Sequence, residues 1–167
     1  MHNNERIVLD TNCLLASLSS KSENFRIWQD FQAGRFTLCV SNEILEEYQE
    51  IISQKSNPTV AENVINAIVE SDFVEFIDPH FHLALISVDP DDNKFVDCAF
   101  SANATFIVSE DSHFNVLKEI SFPQVLVLKI KDFLSLLKQL HWPKCNTTLW
   151  LLSQTGAGPR RVPLLMF

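Results

Sequence analysis

The chain has 167 residues, 46% hydrophobic and 20% charged, enough apolar material for one domain with a full core, which excludes disorder over most of its length. Its formal charge of −8 excludes affinity for nucleic acid through bulk positive charge, though not through a local site. No apolar run approaches ~18 residues and the first six residues carry no basic-then-apolar leader, so neither a membrane span nor a signal peptide is expected, and a cytoplasmic location is.

Arg6-Ile7-Val8-Leu9 is a short apolar run that predicts a buried strand, ended by Asp10-Thr11-Asn12. A helix start over 13–18 and a polar loop from Ser19 to Asn24 follow. Phe25, Trp28 and Phe31 recur at helical spacing, with Gly34 as the stop. Phe36 to Val40 predicts a second strand, and Ser41 caps a helix running to about Gln54. Pro58 reads as a break before a helix from Val60 to Glu70. Phe73 to Ile77 is the third strand. A loop over 78–90 leads to a helix that begins at Asp91 or Asp92 and runs to about Ala102. Thr105 to Ser109 is the fourth strand, Glu110 to His113 a turn and 114–118 a short helix. Val125 to Leu128 is the fifth strand, before a helix from Ile130 to Leu140. Periodicity fades beyond Trp142. The expected division is therefore a domain over 1–142 and a tail over 143–167 of no assigned role.

Strands alternating with helices predict an α/β fold of three layers, α/β/α, with a central parallel sheet of about five strands. Such sheets place function at the carboxyl ends of their strands. Cys13, Cys39, Cys98 and Cys145 are scattered without a C-x-x-C pair, which predicts reduced, buried thiols rather than a zinc knuckle. The five histidines are isolated apart from His80-x-His82, read as surface residues.

Asp10 follows the first strand and Asp111 stands two residues after the fourth, so both fall on one rim. A carboxylate closing a buried strand is costly unless something pairs with it. For one such Asp the alternative is a helix cap or turn. On the helix after Ser41, Ile44, Leu45, Tyr48, Ile51 and Ile52 form the apolar stripe. Glu47 lies about 40° from Ile51, whereas Glu46 is on the far side with Glu43 and Glu50 between. Glu47 is thus the acid of that helix best placed to look inward. Asp92 lies in the first turn of its helix on the side of Phe95, Val96 and Ala99, where the alternative is capping. Asp97 sits mid-helix, where Asp has poor propensity, roughly 60° beyond Phe100. An oxygen-rich set of Asp10, Glu47, Asp92 and Asp111 suits Mg²⁺ or Mn²⁺.

These blocks resemble a family. Ile7-Val8-Leu9-Asp10-Thr11-Asn12 is similar to the opening strand and first acid of PIN domains. Ser41-Asn42-Glu43-Ile44-Leu45-Glu46-Glu47-Tyr48 resembles the second block, with its acid six residues after the capping Ser. Asp92-Asn93-Lys94-Phe95-Val96-Asp97-Cys98-Ala99 resembles the third, in which spacing to Ala99 favours Asp92 as the main acid with Asp97 as an accessory metal ligand. Phe106-Ile107-Val108-Ser109-Glu110-Asp111 resembles the fourth. The likeness spans roughly residues 6–140 and is greatest to bacterial and archaeal PIN proteins that serve as toxins of toxin–antitoxin pairs.

The resemblance implies a metal-dependent endoribonuclease leaving a 5′-phosphate and a 3′-hydroxyl. Asp10 and Asp111 would be direct metal ligands, Glu47 and Asp92 would ligate the ion or orient its water, and Thr11, Asn12 and Ser109 would hydrogen-bond the carboxylates or a phosphate oxygen. It also implies an RNA substrate, an antitoxin partner and a homodimer. Positive charge for RNA is available at Lys94, Lys118, Lys129, Lys131, Arg160 and Arg161. Phe25, Trp28 or Leu149-Trp150-Leu151-Leu152 could supply a dimer contact, against ordinary core packing. The rival readings are a catalytically inactive RNA- or protein-binding module, a nuclease for structured DNA, and another Mg²⁺ phosphoesterase. An aspartyl phosphatase would want a second Asp where Asn12 stands.

Overall fold

The structure is a computed structural model that describes residues 5–139. Strands β1 (Arg6–Leu9), β2 (Thr37–Val40), β3 (Val74–Phe76), β4 (Phe106–Val108) and β5 (Val127–Leu128) form one sheet in the order β3-β2-β1-β4-β5, with every pair parallel. Parallel neighbours cannot be joined by tight turns and need crossovers. Helices α1 (Thr11–Leu18) and α2 (Phe25–Gln32) join β1 to β2, α3 (Asn42–Lys55) and α4 (Pro58–Val69) join β2 to β3, and α5 (Asn93–Ser101) joins β3 to β4. Helix α6 (Ile130–Gln139) follows β5. The chain therefore adopts the three-layer α/β/α architecture with five parallel strands that its sequence predicts.

The inner strands are apolar runs because helices cover both faces of the sheet. Ile7, Val8, Leu38, Cys39, Val40, Ile107 and Val108 are fully buried. Helix α5 packs across β1, β2 and β4, α1 packs on α2 and α3, and α2 on α6. A row of rings ties α6 to the sheet. Phe133 meets Phe36 at 5.4 Å and Phe106 at 6.0 Å between centroids, both edge-on, and Phe36 in turn meets Phe31. Trp28 packs on Phe31 within the same layer. Gly34 ends α2 in the left-handed region, at φ +70°, with the Phe73 ring pressed against it where a Cβ would stand.

Four boundaries differ from expectation for local reasons. Pro58 starts α4 rather than interrupting the chain, since a first-turn residue has no intrahelical use for an N–H. Asn57 caps that helix by accepting from Val60 N at 3.0 Å. A 3-10 turn over Pro90–Asp92 precedes α5, and Ser112–Glu119 is 3-10 as well. β5 is two residues long and lies at the sheet edge, paired with β4. Cys13, Cys39 and Cys98 are free and buried, and burial pushes the first two thiols up to about 12, so they act as small apolar side chains. Among the described residues no helix is long and apolar enough to cross a membrane. Cys145, His141, the Leu149–Leu152 stretch, Arg160, Arg161 and the expected tail over 143–167 lie outside the described residues.

Candidate metal centre

The register of the central strands sets the rim. Leu9 pairs with Val108, and Asp10 N donates to Val108 O at 3.0 Å, which brings the residues after β1 and β4 level with each other. Asp10 is only 5% exposed. Its Oδ1 accepts from Asn12 N at 3.4 Å, capping α1, and its Oδ2 accepts from Ser109 Oγ at 2.8 Å. The Ser109 hydroxyl also accepts from Asp111 N at 3.0 Å, so one buried side chain fixes both acids of the rim. Burial pushes the Asp10 carboxyl up; the two hydrogen bonds oppose this, and the negative charges of Asp92 and Glu47 add to it.

Helix α3 is aimed at this rim by its cap and by Tyr48. Ser41 Oγ accepts from Ile44 N, and the buried Tyr48 hydroxyl donates to Leu9 O, one residue before Asp10. Glu47 is consequently half-buried while Glu43, Glu46 and Glu50 are exposed. Its Oε1 accepts from Thr11 Oγ1, and Lys94 Nζ reaches its Oε2.

The third acidic block splits. Asp92 Oδ2 lies 3.0 Å from His113 Nδ1, and burial raises the Asp92 carboxyl against that hydrogen bond, with Asp89 and Asp111 as negative neighbours. Asp97 is 2% exposed, and its oxygens are taken by the preceding loop: Oδ1 accepts from Leu83 N at 2.9 Å and Oδ2 lies 3.0 Å from His82 Nδ1. Asp10, Glu47, Asp92 and Asp111 thus share one neighbourhood, while Asp97 grips the loop beside it. His82 is exposed at the surface and paired there.

Sequence reasoning missed two residues of this neighbourhood. Asp89 and His113 join Asp92, and one ligand atom from each lies within 4.8 Å of the others. His113 is not isolated: its Nδ1 also lies 3.4 Å from Asp111 Oδ1, and the hydrogen bond to Asp92 raises the imidazole above its ordinary value. The available signals were the Asp89-Pro90-Asp91-Asp92 run and the placing of His113 two residues after Asp111. Carboxylate oxygens with a single imidazole form a donor set suited to Mg²⁺ or Mn²⁺, and a cation would offset the burial that chiefly raises Asp10 and Asp92 together with the lesser push of their acidic neighbours.

Asp89 owes its position to Asn93. The Asn93 Oδ1 accepts from Ile86 N at 2.9 Å, and its Nδ2 donates to Ile86 O at 2.7 Å and Pro90 O at 3.0 Å. Asn93→Ala should destabilise the protein by roughly 2–4 kcal/mol, because the buried Ile86 amide and carbonyl lose their partners. Urea denaturation measures this, and a loss below ~0.5 kcal/mol would show that water replaces the amide.

A parallel α/β/α sheet with its acids gathered on the carboxyl rim is the class of domain that fold and site define together. Residues 6–113 match the PIN domain family. The chain belongs to that family. No curated protein matches it in sequence. Among solved structures it is similar to a chain of Rickettsia felis VapBC2 bound to a DNA fragment from the promoter, at 16% identity and TM-score 0.53, over 74% of this chain and 98% of that one. A chain of DNA-bound VapBC from Salmonella typhimurium is 17% identical at TM-score 0.49, over 75% of this chain and 98% of that one. The T. brucei RRP44 PIN domain is 14% identical at TM-score 0.46, over 92% and 88% respectively. At these identities the likeness is one of fold.

Proposed function

We propose that this PIN domain is a metal-dependent endoribonuclease. The observation that carries the reading is the pairing of Asp10 and Asp111 through Ser109 at the carboxyl rim of β1 and β4, with the charges of Asp92 and Glu47 acting on the buried Asp10. Asp10, Asp92 and Asp111, with Asp89 and His113 beside Asp92, would hold one or more divalent ions, Mg²⁺ or Mn²⁺, and Glu47 would serve as ligand or orienting group. Such an ion, when bound, lowers the pKa of a coordinated water and neutralises charge on the phosphate undergoing attack. Ser109 keeps Asp10 and Asp111 in register, Thr11 fixes Glu47, and His113 steers Asp92. Asp97 secures the loop wall rather than the ion.

Under this reading the protein acts on RNA in the cytoplasm, as a homodimer, and is the toxin of a toxin–antitoxin pair. The PIN family membership and the fold shared with a VapBC2 chain support that finer role. A second reading, a catalytically inactive module for a basic protein segment, draws on the cleft of about 840 Å³ beside the rim, whose wall includes Glu43, Glu46, Glu50, Asp89 and Asp91. Purified protein incubated with mixed RNA decides between them. Fragments with 5′-phosphate and 3′-hydroxyl ends should form with Mn²⁺ and vanish with EDTA. RNA left whole in Mn²⁺ would defeat the ribonuclease reading, and cleavage of structured DNA alone would transfer the activity to that substrate.

A further inference from the structure

Glu47 differs from Asp10, Asp92 and Asp111 in already having a lysine for a partner. Lys94, two residues beyond Asp92 on α5, crosses to α3 and places Nζ 2.5 Å from Glu47 Oε2. The two side chains are only 17% and 25% exposed, so the ammonium has given up much of its water to this one carboxylate. The other oxygen of Glu47 accepts from Thr11 Oγ1. Both oxygens therefore have a donor, and the charge of Glu47 is met by a group the chain carries itself. Asp10, Asp92 and Asp111 are placed differently. Their contacts are hydroxyl, backbone N–H and imidazole groups, with no lysine or arginine ion pair among the described residues. Lys129, the other lysine near this rim, is turned to the Glu110 carbonyl.

We propose that Lys94 is a built-in cation occupying the place beside Glu47 where a second divalent ion would otherwise sit, so that this domain loads a single divalent ion. The inference rests on the metal-dependent reading above and settles its stoichiometry. An ion held by Asp10, Asp92 and Asp111 leaves Glu47 and Lys94 as a neutral pair. A second ion beside Glu47 would have to displace the ammonium or lie against it, and like charges at such separations repel strongly in a partly dehydrated site. Lys94 is thus a positioning residue: it holds Glu47 and sets the ion count without touching the reacting atoms. It is correspondingly not free to contact RNA as the sequence suggested.

The test is a Mn²⁺ titration of the full chain by calorimetry, with free Mn²⁺ counted by electron paramagnetic resonance and folding checked by circular dichroism. The wild-type protein should bind one ion. Lys94→Met should bind two, the second more weakly, while Lys94→Arg keeps the charge and should bind one. Lys94→Gln serves in place of the Met variant if that one does not fold. Two ions on the wild-type protein, or one on Lys94→Met with unchanged affinity, would overturn the role of Lys94 and leave the nuclease reading standing. No Mn²⁺ on the wild-type protein would instead remove the metal centre itself.

Discussion

Asp10→Asn should leave the fold intact and lower metal-dependent RNA cleavage by roughly 10²- to 10³-fold, the equivalent of several kcal/mol of charge stabilisation by a bound ion. The amide keeps the shape of the carboxylate and can keep both hydrogen-bond partners, because the Ser109 hydroxyl can turn to accept. What it loses is the negative charge. The same variant should be more stable than the wild-type protein when both are free of metal. Burial raises the Asp10 carboxyl, so its ionised form is disfavoured in the folded state. That cost is absent below the ordinary carboxylate range, builds up as pH rises from that range towards the raised folded value, and is complete above it. A thermal melt in EDTA should therefore show Asp10→Asn above wild type at neutral pH, the gap closing as pH falls. Equal cleavage in the two proteins would remove Asp10 from the chemistry. A less stable Asn variant in EDTA would mean that hydrogen bonding outweighs burial at this position.

Phe133→Ala should cost about 3–5 kcal/mol of unfolding free energy. Phe133 is buried, and its ring meets both Phe36 beside β2 and Phe106 on β4. Removing it takes apolar area out of the core and leaves a cavity that backbone on either side is too constrained to fill. Guanidinium denaturation measures the effect. A change below ~1 kcal/mol would mean that α6 contributes little to the packing of the sheet.

Elements whose pattern is short-range were legible in the sequence. Ile7 to Leu9 and Phe106 to Val108 are short uninterrupted apolar runs that suit strands covered on both faces, and Ser41 announces α3 by its own chemistry. The helical angle between Glu47 and Ile51 singled out the half-buried Glu of α3 from its three exposed neighbours. Features set by the meeting of distant segments were not legible. Asp89 and His113 flank Asp92 because Asn93 holds the loop at Ile86 and Pro90 while Asp97 holds it at Leu83, and no periodicity encodes those grips. Lys94 reads as a solvated lysine until α3 and α5 are packed together. Pro58 shows the converse error: a residue known for breaking helices opens one, because its position within the helix decides its effect.

The strand that is made first stands in the middle of the sheet, with β2 on one side and β4 on the other. During synthesis a nascent chain that has not yet delivered β4 has β1 open along one edge, and it lacks Ser109, Asp111 and His113 altogether. Asp111, the last of the four rim acids, is thus made only after the strand that closes this edge of β1. A chain interrupted before β4 therefore has neither a closed central sheet nor a complete acid rim.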